Sequence, residues 1–320
     1  MPTVEQLQVA PSRDRLRDIA NAVYPGAEVT SVTRMRGGLD SGVHRLGLSL
    51  PDGTRWAVML RRFAEFSLPP LRQANTEWKI LQLLSELGVT APRPLVNDAA
   101  GTLCGSPAII VSYLPGRPVL APKDTEGWAL QLAAALVRLH MASRGLKRPS
   151  FLPHVNDGDR AWIMSDSPPP DRITRHPEGP RLVAALRELA KYLKPAPECL
   201  VHTDYWAGNT IWSRGRLTGI IDWTWACWGD PAYDVAYGCF DMWLTGRDHE
   251  AEVFLEEYER LTGGPVQNLR YYALLCCKRP MPDPVIWLPS WHDFGMTEVT
   301  ADDLRRGLSR SIRHAFALPA

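Results

Sequence analysis

The sequence predicts an α+β chain in two parts, sheet-rich over residues 1–114 and mainly helical over 115–320. Three observations carry this. Residues 28–61 alternate apolar and polar side chains in three runs separated by glycine- or proline-containing turns, the pattern of antiparallel strands. Beyond the break L-P-G-R-P-V at 114–119, apolar residues recur mostly at helical spacing. The exception is Leu200 to Asp234, where short apolar runs bracket polar loops.

Composition bounds the function. With 45% hydrophobic and 22% charged residues, the 320-residue chain has the balance of a folded globular protein of one large or two modest domains. A net charge of +1 gives no electrostatic footprint for a polyanion, so neither nucleic acid nor membrane is expected as a partner. The six cysteines form no C-x-x-C and have mostly apolar neighbours, as buried free thiols in a reducing compartment do. The start M-P-T-V-E-Q-L-Q is not a secretory signal, and a cytoplasmic location is the expectation.

In chain order, Ser12 caps a helix to about Val23, stopped by Pro25-Gly26. Strands are predicted over Glu28–Arg36, Val43–Leu50 and Arg55–Arg61. The first turn, G-G-L-D-S-G, brings Gly37, Gly38, Ser41 and Gly42 to a tip of the kind whose backbone N–H groups approach phosphates, although most glycine turns are only turns. In the third strand, Ala57, Met59 and Arg61 share one face and Val58, Leu60 and Arg62 the other. A helix over Leu71–Leu87 has Trp78, Leu81 and Leu84 as its apolar stripe, with Glu77 beside it. Strands near Arg93–Val96 and Pro107–Tyr113 complete the sheet.

After the break, a helix runs from Asp124 or Thr125 to about Met141, with His140 as a packed core histidine. The stretch Arg148–Pro180, rich in Pro, Asp and Ser, is a long surface connection. Helices follow near Pro180–Leu193, Pro231–Leu244, His249–Thr262, Val266–Lys278 and Ala301–Phe316.

The chemistry concentrates in L-V-H-T-D-Y-W-A-G-N-T-I-W, L-T-G-I-I-D-W-T-W and G-D-P-A-Y-D. His202, Asp204 and Asn209 lie on a loop between apolar strands, and Asp222 ends the next strand. Singly, an Asp or Asn in a loop is usually a turn residue bonded to its own backbone. As an ordered set, two carboxylates and an amide can align and deprotonate an attacking hydroxyl and offer oxygen ligands to Mg²⁺ at nucleotide phosphates. The spacing H-x-D-x-x-x-x-N is that of the protein kinase catalytic loop, with Thr203 where an arginine stands there.

With I-D-W in place of D-F-G and G-D-P-A-Y-D just after, the chain resembles the aminoglycoside phosphotransferase and choline kinase-like family. The resemblance implies a two-lobed protein kinase-like fold. Residues 1–114 would form a nucleotide-binding N-lobe, and 115–320 a C-lobe with the catalytic loop, metal ligands and substrate-side helices. It implies Asp204 as catalytic base, His202 as the catalytic-loop residue that buttresses it, and Asn209 and Asp222 as Mg²⁺ ligands. For the nucleotide, ATP or GTP, it implies Gly38 and Ser41 at the phosphate tip and backbone groups of Ser112 to Leu114 at the base edge. Arg61 stands where the family has a lysine, with Glu77 as its partner; no lysine precedes Lys79.

The implied reaction moves a γ-phosphoryl group to a hydroxyl of a small molecule. An antibiotic phosphotransferase is the first expectation. A metabolite kinase for choline, a sugar or a homoserine-like compound is the alternative. A catalytically inactive kinase-like binding protein is a third reading, motivated by Arg61 and by the missing glycine after I-D-W. Asp230, Asp234 and Asp241 fall where substrate-side helices would carry acidic groups, among tryptophans whose faces suit cations.

Overall fold

Alternation over the first hundred residues becomes one antiparallel sheet. The computed structural model describes residues 2–35, 41–65, 68–157, 162–165 and 167–319. The chain divides into two units, Met1–Gly116 with Thr218–Thr224, and Arg117–Leu217 with Trp225–Ala320. The sequence places the division two residues earlier and puts 218–224 in the helical part. That excursion clusters with the first unit, where the Ile220 N–H donates to the Thr90 carbonyl at 3.1 Å.

In the first unit, helix α1 (Val4–Gln8) is closed by a reciprocal Thr3–Gln6 capping box, and α2 (Arg13–Val23) starts at Ser12, whose hydroxyl accepts the Arg15 N–H. The strands are β1 (Glu28–Arg34), β2 (Ser41–Ser49), β3 (Arg55–Phe63), β4 (Pro94–Asp98) and β5 (Ala108–Ser112), in the order β1-β2-β3-β5-β4. Helix α3 (Pro70–Glu86) lies between β3 and β4, with proline at its first turn, where a missing N–H costs nothing. Ile19, Ala20, Leu46, Leu48, Val58, Leu60 and Ile110 form a core on one sheet face. The period of two therefore sends Val58 and Leu60 inward and turns Met59 and Arg61 to the opposite face. Arg62, on the core face, donates to the Leu7 and Val9 carbonyls and clamps α1.

One of the glycines expected at the tip, Gly42, lies in β2 and has a plain packing reason. A Cβ on Gly42 would stand 2.1 Å from the Leu7 carbonyl oxygen, so α1 can approach β2 only over a glycine. Gly38 and its neighbours at 36–40 lie outside the described residues.

The second unit opens with α4 (Thr125–Ser143), capped by Asp124, and continues through α5 (Asp171–Thr174) and α6 (Gly179–Ala190). Short strands follow, β6 (Cys199–Val201), β7 (Thr210–Ser213), β8 (Arg216–Ile220, whose last three residues belong to the first unit) and β9 (Cys227–Gly229). Strand β6 pairs antiparallel with β9, Leu200 opposite Trp228, which fixes both ends of the loop that starts at His202. Helices α7 (Ala232–Leu244), α8 (Asp248–Thr262), α9 (Leu269–Cys277), α10 (Leu288–Asp293) and α11 (Ala301–Ala317) complete it. Every residue of α7 is buried, so it is the central helix of this unit.

Helix α5 lies inside the stretch expected to be only a connection, and α1 and α10 were also unforeseen; with four to six residues each, none shows a readable period. All six cysteines are free and five are buried. Among the described residues, no helix is long and apolar enough to cross a membrane.

Candidate active site

The loop after β6 is held in a conformation that its sequence disfavours. Thr203 is β-branched yet has φ 64°, in the left-handed region. Its N–H donates to Asp234 Oδ1 at 2.7 Å, its hydroxyl to the Trp225 carbonyl at 2.8 Å, and its own carbonyl accepts Arg279 Nη1 at 2.6 Å. Such a residue costs about 1–3 kcal/mol and persists only where its surroundings over-determine it, a pattern that clusters at functional sites.

Asp234 is the anchor of this loop. Its fully buried carboxylate takes the His202 N–H at 2.7 Å as well as that of Thr203, and His140 Nε2 lies 3.0 Å away. His140 Nδ1 in turn lies 2.8 Å from the Tyr258 hydroxyl, so His140 is the packed histidine expected, with a polar partner on each side. The placement of Asp234 on a substrate-facing surface is corrected: the carboxylate is saturated by the loop and by His140.

His202 is also completely buried, and its Nδ1 accepts the Asp204 N–H at 3.3 Å. It supports the loop from behind. Asp204 itself keeps 22% of its side-chain surface. Asn209 Nδ2 donates to both the Asp204 carbonyl and Asp204 Oδ2, each at 2.9 Å. The amide nitrogen is thereby committed, which orients the Asn209 carbonyl oxygen away from Asp204 as an acceptor. Arg279 Nη2 stands 3.3 Å from Asp204 Oδ1. Trp206 packs against Trp291 and Phe294 at 5.6 and 5.5 Å between ring centroids. A Cβ on Gly208 would meet the Trp206 ring at 2.3 Å, so the turn through 207–209 needs its glycine.

In the first unit a second polar cluster centres on Arg61. Its Nη1 is 3.1 Å from Glu77 Oε1, Nη2 is 2.7 Å from Asp222 Oδ1, and Nε donates to Ser41 Oγ at 3.2 Å. The Thr224 hydroxyl lies 3.0 Å from Glu77 Oε2 and 3.4 Å from Asp222 Oδ1, closing the ring. Arg61 and Glu77 are buried, and Asp222 keeps 29% of its side-chain surface. Asp222 has φ 64°, a second non-glycine residue in the left-handed region. Arg61, not Arg62, meets Glu77, as the strand alternation predicts. Thr224 was missed; it stands two residues after Asp222 with nothing but its polarity to mark it.

Other expected groups are differently engaged. The Ser112 N–H donates to the Arg93 carbonyl at 2.8 Å and its hydroxyl accepts the Arg93 N–H at 2.8 Å, so this residue is tied into the first unit's own strands. Leu114 follows β5, its Cδ1 2.5 Å from where a Cβ on Gly219 would lie. Asp230 accepts from Asn268 Nδ2 at 2.7 Å and the Ala232 N–H at 2.9 Å, and burial raises its carboxyl pKa. Burial pushes Asp241 up to about 7, despite Arg247 nearby and a hydrogen bond from the Ala207 backbone. The expected acidic lining is thus largely interior.

Comparison with known proteins follows the same lines. The model of the phosphotransferase enzyme family matches residues 35–274. The homoserine kinase of Rhodopseudomonas palustris (strain BisA53) is 30% identical over 200 residues, 60% of this chain and 60% of that protein. The match thus spans about three-fifths of the length of such curated relatives. Among solved structures, the aminoglycoside phosphotransferase APH(4)-Ia superposes with TM-score 0.63 at 17% identity, covering 97% of this chain and 100% of that one. Choline kinase LicA from Streptococcus pneumoniae gives 0.60 at 18% identity, covering 95% and 99%. These two share the kinase-like α+β fold with this chain.

Proposed function

The chain belongs to the phosphotransferase enzyme family, and from that premise we propose that it transfers the γ-phosphoryl group of ATP or GTP to a hydroxyl of a small molecule. The observation that carries the reading is Asp204, part-exposed on a strained loop and fixed by Asn209. In this reading Asp204 accepts the proton of the acceptor hydroxyl as that oxygen forms its bond to the γ-phosphorus. The bond from phosphorus to the bridging oxygen breaks, and the nucleoside diphosphate leaves.

Mg²⁺ suits the oxygens that remain. The Asn209 carbonyl oxygen is turned outward by its committed nitrogen, and Asp222 engages Arg61 and Thr224 through Oδ1, leaving Oδ2. Both are hard oxygen donors of the type Mg²⁺ takes alongside water and phosphate. Asn209 in the second unit and Asp222 in the first are each assigned as an Mg²⁺ ligand, and the ion would supply neutralisation of phosphate charge. Arg61, set by Glu77, would contact phosphate beside Ser41, and the chain at Leu114, past the strand bonds of Ser112, would run along the base; the glycine expected at 38 lies outside the described residues. The first unit is thus assigned the nucleotide and the second the acceptor, in a cytoplasmic enzyme.

Between acceptors, a metabolite is preferred to an antibiotic. The relatives carry the name homoserine kinase, and the buried states of Asp230, Asp234 and Asp241 weaken the acidic lining that a polycationic antibiotic would require. Retention of Asp204, Asn209 and Asp222 together speaks against an inactive binding protein. Incubating the purified chain with Mg²⁺ and ATP or GTP against a panel of hydroxyl compounds, with product mass as readout, tests this. Transfer to one small hydroxyl compound is expected; nucleotide turnover with no phosphorylated product from any of them rejects it.

A further inference from the structure

One cation beside Asp204 escaped the motif. Arg279 lies two residues past the end of α9 and folds back on the loop, with Nη1 on the Thr203 carbonyl and Nη2 3.3 Å from Asp204 Oδ1. Its guanidinium carbon sits 4.5 Å from the centroid of the Tyr237 ring. The backbone beneath it is pinned by Arg172, whose Nη1 donates to the Lys278 carbonyl at 2.7 Å and lies 3.3 Å from that of Arg279. Arg172 therefore stiffens the turn through carbonyls, whereas Arg279 is aimed at a carboxylate that an acceptor must reach.

The position has a chemical consequence. A guanidinium has five N–H donors; Thr203 and Asp204 engage two of those of Arg279, and the side chain keeps 27% of its surface. The negative charge of Asp204 is already balanced by this neighbour. Asp241, a carboxylate near Asp204, is buried with Ala207 and Arg247 as neighbours. A polycation gains little from such a surface, while an anion gains a pre-set planar fork.

We propose that Arg279 binds a carboxylate of the acceptor, which makes the acceptor a small hydroxy acid or hydroxy amino acid. Its hydroxyl meets Asp204 and its carboxylate meets the outer edge of the guanidinium. Because Arg279 Nη2 and Asp204 Oδ1 are 3.3 Å apart, the two groups must belong to one compact molecule, only a few bonds from each other. The proposal rests on the phosphotransferase reading above and names the acceptor class of that site.

The test compares matched pairs that differ by the carboxylate: L-homoserine against 3-amino-1-propanol, and glycerate against ethylene glycol. Wild type, Arg279→Gln and Arg279→Lys are assayed with Mg²⁺–ATP for kcat/KM and, independently, by calorimetry for acceptor binding. A hydrogen-bonded charge contact contributes about 1.5–3 kcal/mol, so wild type should favour the acid of at least one pair by roughly 10- to 100-fold. Arg279→Gln should bring that ratio towards one, and Arg279→Lys should retain part of it. Equal losses on acid and alcohol would mean that Arg279 serves Asp204 or the transferred phosphoryl group, and would overturn the proposal. So would a wild type that prefers neither acid. If no acceptor is phosphorylated, the phosphotransferase reading fails by itself; calorimetry then still decides, since Arg279-dependent binding of an acid upholds this proposal and its absence ends it.

Discussion

Arg61 Nη2 stands 2.7 Å from Asp222 Oδ1, so the strand cation grips a carboxylate that follows it by 161 residues as well as its expected partner Glu77. Removing Arg61 strips two carboxylates of their counter-charge, and breaking a buried pair from one side costs about 3–5 kcal/mol. Arg61→Ala should therefore lower the melting temperature, raise the nucleotide KM and reduce kcat together. Arg61→Lys keeps the charge but cannot reach Glu77, Asp222 and Ser41 from one planar group, so partial recovery is expected. Steady-state kinetics in varied nucleotide, with thermal melts, check this; full activity in the alanine variant would refute the role.

Thr224 ties the same two carboxylates through one hydroxyl. Valine preserves its shape and removes that hydroxyl, a net loss of about 0.5–1.5 kcal/mol because both carboxylates keep Arg61. Thr224→Val should raise the Mg²⁺ concentration needed for half-maximal activity, because Asp222 loses one of its two tethers. Thr224→Ser should restore it. A metal titration unchanged in the valine variant would reduce Thr224 to packing.

Much of this arrangement was legible in local pattern. The period of two put Arg61 and Arg62 on opposite faces, and chain order put Glu77 on the helix that follows, so this pairing needed no long-range information. The spacing of Asp204 and Asn209 encoded a contact within one loop. What escaped depends on residues far apart in sequence. Arg279 meets Asp204 across 75 positions, and nothing in C-C-K-R-P-M-P marks it as different from a surface arginine. Asp234 looked like a surface carboxylate, because the backbone N–H groups that saturate it belong to His202 and Thr203 and leave no side-chain signature. Hydrogen bonds to backbone are invisible to residue type.

Asp204 is expected to act as base through Oδ1 or Oδ2 while Asn209 and Arg279 hold its plane. Asp204→Asn keeps the size and removes the proton acceptor. It should lower kcat by roughly 10²–10⁴ with little change in nucleotide affinity. Single-turnover phosphotransfer beside equilibrium nucleotide binding separates the two effects, and near-normal turnover would remove Asp204 from the chemistry.

Asp241 gives a prediction about stability and pH. It lies on α7 with its carboxyl raised to about 7 by burial, which outweighs the opposing effects of Arg247 and the Ala207 N–H; the negative charge of Asp204 pushes the same way as burial. In the unfolded chain it titrates near 3.8, as an ordinary aspartate does. Below that value both states hold the proton and the buried site carries no charge penalty. Between 3.8 and about 7 the unfolded chain has released its proton while the folded chain retains it, so this residue's contribution to stability falls as pH rises and levels off above about 7. Asp241→Asn keeps an acceptor for the Ala207 N–H and removes the ionisation. The variant should gain melting temperature over wild type at pH 8 and lose that advantage as the pH is brought down towards 5. Melts of both proteins across this range measure the difference directly, and a gap independent of pH would show that Asp241 ionises in the folded chain as freely as in the unfolded one.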